Sequence, residues 1–150
     1  MSKTIIVPNE VLLSRAVQTV QAGRVTIIPV KGNSMDPFIK GNKDCVELYP
    51  PNDLKIGDIV LAHIDGQTYI LHRIFRFNEE GDVTLMGDGN VQQTEHCQME
   101  DIKAKARFLI TSEKKRKALD STSMKLYASV WRKLLPIRWI LLKVYRKFLR

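Results

Sequence analysis

The spacing of apolar positions changes twice along the chain. From residue 9 to residue 22 it is helical: Val11, Leu12, Ala16 and Val20 recur on one side, Asn9 stands at a capping position, and Glu10 suits the first turn. Gly23 then supplies the left-handed stop on which helices commonly end. From Val25 the period becomes that of strands, opening with Val25, Ile27 and Val30. Further strands are predicted over 45–49, 58–64, 68–77, 83–87 and 104–110. Turn chemistry separates them: Pro50-Pro51-Asn52-Asp53, Asp65-Gly66, Glu80-Gly81-Asp82 and Gly87-Asp88-Gly89-Asn90. Many short strands at regular spacing predict a compact, mainly antiparallel β-domain, hence a mainly β (α+β) class with helices at its ends.

Residues 112–120, SEKKRKALD, read as an exposed connector. Beyond it the helical period returns over 124–150. Tyr127, Val130, Trp131, Leu134, Leu141, Tyr145, Phe148 and Leu149 form one broad apolar side, opposed by Lys125, Arg132, Lys133, Lys143, Lys147 and Arg150. Pro136 lacks a backbone donor and predicts a kink or break there. The predicted division is a helical segment 1–24, a β-domain 25–111, a charged linker 112–123 and a basic amphipathic helical tail 124–150.

Composition sharpens this picture at the tail. The chain has 150 residues, is 44% hydrophobic and carries a net charge of +8, which suits one core with appendages. Residues 1–120 hold 16 basic and 16 acidic residues, whereas 121–150 hold eight basic residues and no acid. Only the tail therefore calls for an anionic partner. Cys45 and Cys97 are far apart and in no metal-ligand spacing, so two reduced thiols are expected in preference to a disulfide, and no metal or cofactor is expected. The N-terminal MSKTIIVPNEVLL lacks the long apolar run and small-residue cleavage site of a signal peptide. No apolar run reaches the ~18 residues of a membrane span, so the expected location is the cytoplasm, with the tail at the inner face of the membrane.

Candidate chemistry starts in Val30-Lys31-Gly32-Asn33-Ser34-Met35-Asp36-Pro37-Phe38. A serine after a glycine-containing turn can present its hydroxyl, and Gly32 lets backbone approach a substrate carbonyl. The amides of Asn33 and Ser34 are then candidates for holding an oxyanion. A serine hydroxyl needs a base. His63, His72 and His96 are the candidates, and spacing alone does not choose among them. His72 lies in an apolar strand, where partial desolvation favours the neutral imidazole that a base requires. Asp88, in its tight Gly-Asp-Gly-Asn loop, is a candidate carboxylate for orienting that imidazole.

Together these residues resemble the signal peptidase and LexA-like serine peptidases. The resemblance runs in order through Gly32-Asn33-Ser34-Met35-Asp36-Pro37-Phe38, Leu54-Lys55-Ile56-Gly57-Asp58-Ile59-Val60-Leu61, Tyr69-Ile70-Leu71-His72-Arg73-Ile74 and Leu85-Met86-Gly87-Asp88-Gly89-Asn90, covering about 25–110. It implies Ser34 as nucleophile. The base position holds His72, so the chain resembles the histidine branch, the signal peptidases of archaea and the endoplasmic reticulum, rather than the lysine branch of bacterial signal peptidases and LexA-like repressors. It further implies Asp88 as the acid, and Met35, beside Gly32, as shaping the substrate-binding surface. A second acid follows the Gly-Asp loop in that branch, and Glu95 is the candidate here. Gly32 stands where signal peptidases usually carry a serine, as in the LexA-like branch, and the N-terminal anchor of signal peptidases is missing.

The implied function is a serine endopeptidase cleaving leader or signal-like segments of polypeptides. The alternative is a non-catalytic peptide-binding module anchored by its tail. A self-cleaving regulator is disfavoured: Ala22-Gly23 resembles the bond such repressors cut, but Gly23 is already explained as a helix stop, and the preceding segment is too short for a helix-turn-helix. For the tail, an anionic membrane surface is favoured by Trp131, Trp139 and its leucines, ahead of docking onto protein and then nucleic acid.

Overall fold

The computed structural model describes residues 9–149. Helix α1 (Asn9–Gln21) precedes strands β1 (Thr26–Pro29), β2 (Cys45–Tyr49), β3 (Ile59–Ile64), β4 (Thr68–Phe77), β5 (Asp82–Met86), β6 (Glu95–Gln98), β7 (Ile102–Ile110) and β8 (Arg116–Ala118). Helices α2 (Thr122–Lys133) and α3 (Arg138–Phe148) complete the chain. All pairings are antiparallel, in the order β1-β2-β7-β3-β4-β5-β6. This is the expected mainly β domain of LexA-like type, with an N-terminal helix and C-terminal helices.

Strand β7 is the hub. Its Ala106 pairs with Leu48 of β2 and with Ile59 of β3, and its Leu109 pairs with Val46 of β2 and Lys117 of β8. One edge of β7 thus carries β2, and the other carries β3 and then β8. Register shifts in the β2–β7, β3–β7 and β4–β5 pairs are bulges, which bend and coil a sheet. The coiled sheet buries apolar residues on both faces of β3. Ile59 and Leu61 join a core under α1 with Leu13, Val17, Val20 and Met35, while Val60 and Ala62 join a second core with Ile74, Val83 and Leu85. That two-sided burial explains why β3 reads as a continuous apolar run rather than an alternation.

Three elements depart from the sequence reading. The stretch 112–123 contains β8, and so is not only a connector. It pairs with β7, and the Arg116 guanidinium bonds Glu47 at 2.9 Å and lies 3.5 Å from the centroid of the Phe108 ring. Strand β6, with the sequence Glu-His-Cys-Gln, has no apolar alternation and was not predicted. The tail is two helices separated by a 3₁₀ turn, Leu135–Ile137, that holds Pro136. Its apolar residues do not share one side. Trp131 and Leu142 are buried against the domain together with Arg138, whereas Val130, Trp139 and Phe148 are exposed.

Candidate active site

His72 is placed by strand parity. It pairs with Val60, so its imidazole shares a face with the second core, between Ile70 and Ile74. Leu85 pairs with Ile74 on one side and with Glu95 on the other. Ile74, Leu85 and Glu95 therefore form a row across β4, β5 and β6. His72 is two residues from Ile74, and Gly87 is two residues from Leu85, so both belong to the next row on the same face.

From β6, the Glu95 carboxylate reaches across β5 to His72 on β4. Glu95 Oε2 lies 2.8 Å from His72 Nδ1, and the two side chains are only 17% and 7% exposed. The other ring nitrogen faces the serine loop. A Cβ built on Gly87 would stand 3.1 Å from His72 Nε2 and would collide with the carbonyl oxygen of Ser34. The Ser34 carbonyl and His72 Nε2 thus border the same point, although no hydrogen bond joins the Ser34 hydroxyl to the ring.

Asp88 falls on the opposite face, and this corrects the expectation that it orients His72. One residue beyond Gly87, it joins Arg73, whose neighbour in β5 is Met86. Arg73 Nε and Nη2 donate to the two Asp88 carboxylate oxygens at 2.9 and 2.7 Å, a bidentate pair that leaves the carboxylate no reach toward the imidazole. The acid on His72 is Glu95. The sequence held its signal only as an acid shortly after the Gly-Asp loop, and its strand was too polar to be recognised.

The serine box is held from two sides. The Gly89 amide donates to the Ser34 carbonyl at 2.8 Å. A Cβ at Gly89 would come within 2.5 Å of the Asn33 carbonyl oxygen, so glycine is required for this approach. Among the described residues, the Asn33 and Ser34 amides donate no hydrogen bond. Gly32 adopts φ +75°, and a Cβ there would meet nothing within 4 Å; conformation rather than crowding calls for glycine. Met35 is a core residue, 2% exposed beneath α1, and not part of a substrate-facing surface. Its apolar length fills the space below the turn and so anchors the turn from inside.

The remaining histidines are occupied elsewhere. His63 stacks on Tyr69, with ring centroids 4.1 Å apart. His96 is exposed on β6, 3.2 Å from the Thr84 hydroxyl and 3.6 Å from Asp82.

The C-terminal helices close over the same loops. Trp131 Nε1 donates to the Asp88 carbonyl at 2.9 Å, Arg138 Nη1 to the Asn90 carbonyl at 3.1 Å, and Arg146 Nη2 to the Gly89 carbonyl at 3.1 Å. Arg146 also lies 3.7 Å from the buried Asp36 carboxylate of the serine box. The Tyr127 and Phe38 rings pack at 4.9 Å. Burial pushes the Tyr127 phenol up to about 12, with the Asp88 charge adding to it. Burial pulls Arg138 down, opposed by Asp88. Beside this contact, a cavity of about 350 Å³ opens between α2 and strands β3, β4 and β7; its lining includes Arg73 and Asp88 but neither Ser34 nor His72. Both cysteines are free.

A family model described as Peptidase S24-like matches residues 2–109, a span that contains every residue of the Ser34–His72–Glu95 arrangement. Comparison with curated proteins found no match.

Proposed function

The chain belongs to the Peptidase S24-like family, and from that premise we propose that it is a serine endopeptidase using Ser34, His72 and Glu95. The observation that carries this reading is the carboxylate–imidazole pair, Glu95 Oε2 to His72 Nδ1 at 2.8 Å, with Nε2 turned toward the Ser34 loop. Glu95 holds the tautomer that carries its proton on Nδ1, which leaves Nε2 as the acceptor. His72 Nε2 takes the Ser34 proton as Oγ attacks the scissile carbonyl. The hydrogen bond between serine and imidazole forms as substrate is engaged, since catalytic contacts are often loose before then.

The amides of Asn33 and Ser34 hold the resulting oxyanion, and preorganised donors of this kind each contribute about 10²–10³ in rate. His72 then passes its proton to the leaving amine. Water, deprotonated by the same nitrogen, hydrolyses the ester on Ser34. Acid slows both steps, because an imidazolium cannot accept a proton.

The substrate is a polypeptide with a leader or signal-like segment, bound extended. From Thr68 to His72 strand β4 pairs with β3 on one edge, and β5 takes its other edge only from Arg73 onward. That open edge adjoins His72 and supports an added strand of substrate. The experiment is labelling with a fluorophosphonate probe. One equivalent of adduct on Ser34 is expected, absent in Ser34→Ala and slowed by about 10³-fold or more in His72→Ala. Processing of a leader-bearing substrate that persists undiminished in purified Ser34→Ala would instead make the domain a non-catalytic peptide-docking module.

A further inference from the structure

The C-terminal helices carry apolar residues on their outer side as well as against the domain. Helix α3 turns Arg138 and Leu142 toward the domain, and Arg146 reaches the Gly89 carbonyl. Its outward side carries an apolar row: Ile140, Val144 and Phe148, at intervals of one helical turn, are 45%, 48% and 70% exposed. Helix α2 does the same with Leu126 and Val130, at 65% and 47%. Trp139, also on α3, is more than half exposed. The flanking Lys125, Lys133, Lys143 and Lys147 are all exposed, and residues 121–150 contain no acid.

We propose that this outer face of α2 and α3 docks on an anionic lipid surface. An apolar stripe edged by lysines fits the boundary between acyl chains and headgroups: the stripe enters the hydrocarbon edge while lysine stems carry their charges to the phosphates. Charge decides between occupants. A second copy docked by the same face would set four exposed lysines against the same four, and a nucleic acid would neutralise the lysines yet leave the apolar stripe in water. No helix among the described residues is long and apolar enough to cross a membrane, so the contact is peripheral. Because the inner face of the same helices grips Gly89 and Asp36, docking fixes the Ser34 loop relative to the lipid surface. That last consequence rests on the peptidase reading, whereas lipid binding does not, so failure of either leaves the other standing.

The test is co-sedimentation of the full chain with vesicles of phosphatidylglycerol and phosphatidylcholine in equal parts, against phosphatidylcholine alone, at low salt. Binding to the anionic vesicles is expected, with Trp139 emission shifting to the blue. Ile140→Ser with Phe148→Ser, both exposed and outside the catalytic loops, should weaken binding at least roughly tenfold. Lys143→Gln with Lys147→Gln should weaken it by about fivefold for each charge removed. Folded protein that ignores the anionic vesicles, or binds them equally well in the Ile140/Phe148 variant, overturns the proposal. So does a stable dimer, or a complex with an acidic protein, that the same apolar variant abolishes while lipid binding is absent.

Discussion

The Glu95 carboxylate meets His72 Nδ1 at 2.8 Å across strand β5, while Asp88, just past the end of that strand, is taken by Arg73. The two acids therefore answer differently to loss of charge. Glu95→Gln should stay folded, with Ser34 labelling slowed on the order of 10³–10⁴-fold because the imidazole loses its oriented tautomer. Asp88→Asn should be a stability variant: it leaves the largely buried Arg73, 13% exposed, without its counter-charge, at a cost of about 3 kcal/mol. Denaturant melts alongside labelling rates separate the two. A stable but unreactive Asp88→Asn beside a reactive Glu95→Gln would reverse the assignment.

Gly87 supplies an independent check on the same geometry. A methyl group there collides with the Ser34 carbonyl and presses on His72 Nε2 from 3.1 Å. Backbone is less able to yield than a flexible side chain, so Gly87→Ala should cost about 1–3 kcal/mol. Labelling of Ser34 should fall by roughly 100-fold or more, since small misplacements of reacting groups carry penalties of that size. Gly81, in a turn with open space around its Cβ position, is the control: Gly81→Ala strains φ yet should leave labelling unchanged. Equal effects at the two glycines would count against a steric gate at Gly87.

What could be read from the sequence follows physical rules, and so do the gaps. Strand β4 matches its expected range of 68–77 because a run rich in branched and aromatic residues lies between the Asp65-Gly66 and Glu80-Gly81 turns. Strand β6 escaped because its one buried residue is Cys97, set among Glu95, His96 and Gln98. With that strand unread, Glu95 was only an acid near a loop, and no pairing linked it to His72. The Asp88 error has the same origin. Parity along β5 puts Gly87 with His72 and Asp88 with Arg73, but parity carries no weight until the register of β4 on β5 is known. Tail composition announced an amphipathic segment, yet which residues turn inward depended on contacts with the Gly87–Asn90 loop.

Cys97 gives a prediction about thiols and pH. It is 6% exposed, and burial chiefly, with Asp101 and Asp82 adding, pushes its thiol up to about 11. Only a thiolate attacks disulfide reagents readily, so a colorimetric disulfide titration at pH 8 should count one thiol, the partly exposed Cys45, in native protein and two after unfolding. The thiol is harder to ionise folded than unfolded. Its contribution to stability is therefore full below the unfolded value of about 8.5 and is lost as pH rises through about 11. The stability gap between the parent and Cys97→Ala should narrow over that window. A constant gap, or two fast thiols in the native state, would refute the burial argument.

Arg146 tests whether the tail serves the active site. Its guanidinium reaches the Gly89 carbonyl at 3.1 Å and stands 3.7 Å from Asp36, so one side chain ties the loop beside His72 to the box that holds Ser34. The Gly89 amide bonds the Ser34 carbonyl from the other side, and releasing Gly89 loosens that clamp. Arg146→Met keeps much of the apolar stem and removes the fork. Its expected signature is a kcat lowered roughly 10–100-fold with KM little changed, since a misplaced nucleophile costs rate rather than binding. Arg146→Lys should recover only part of the loss, because a point charge cannot serve carbonyl and carboxylate in one geometry as a planar fork does. Vesicle binding should be lowered no more than the loss of one cation requires. Full activity in Arg146→Met, in protein whose melt matches the parent, would detach the tail from catalysis and leave it an anchor alone.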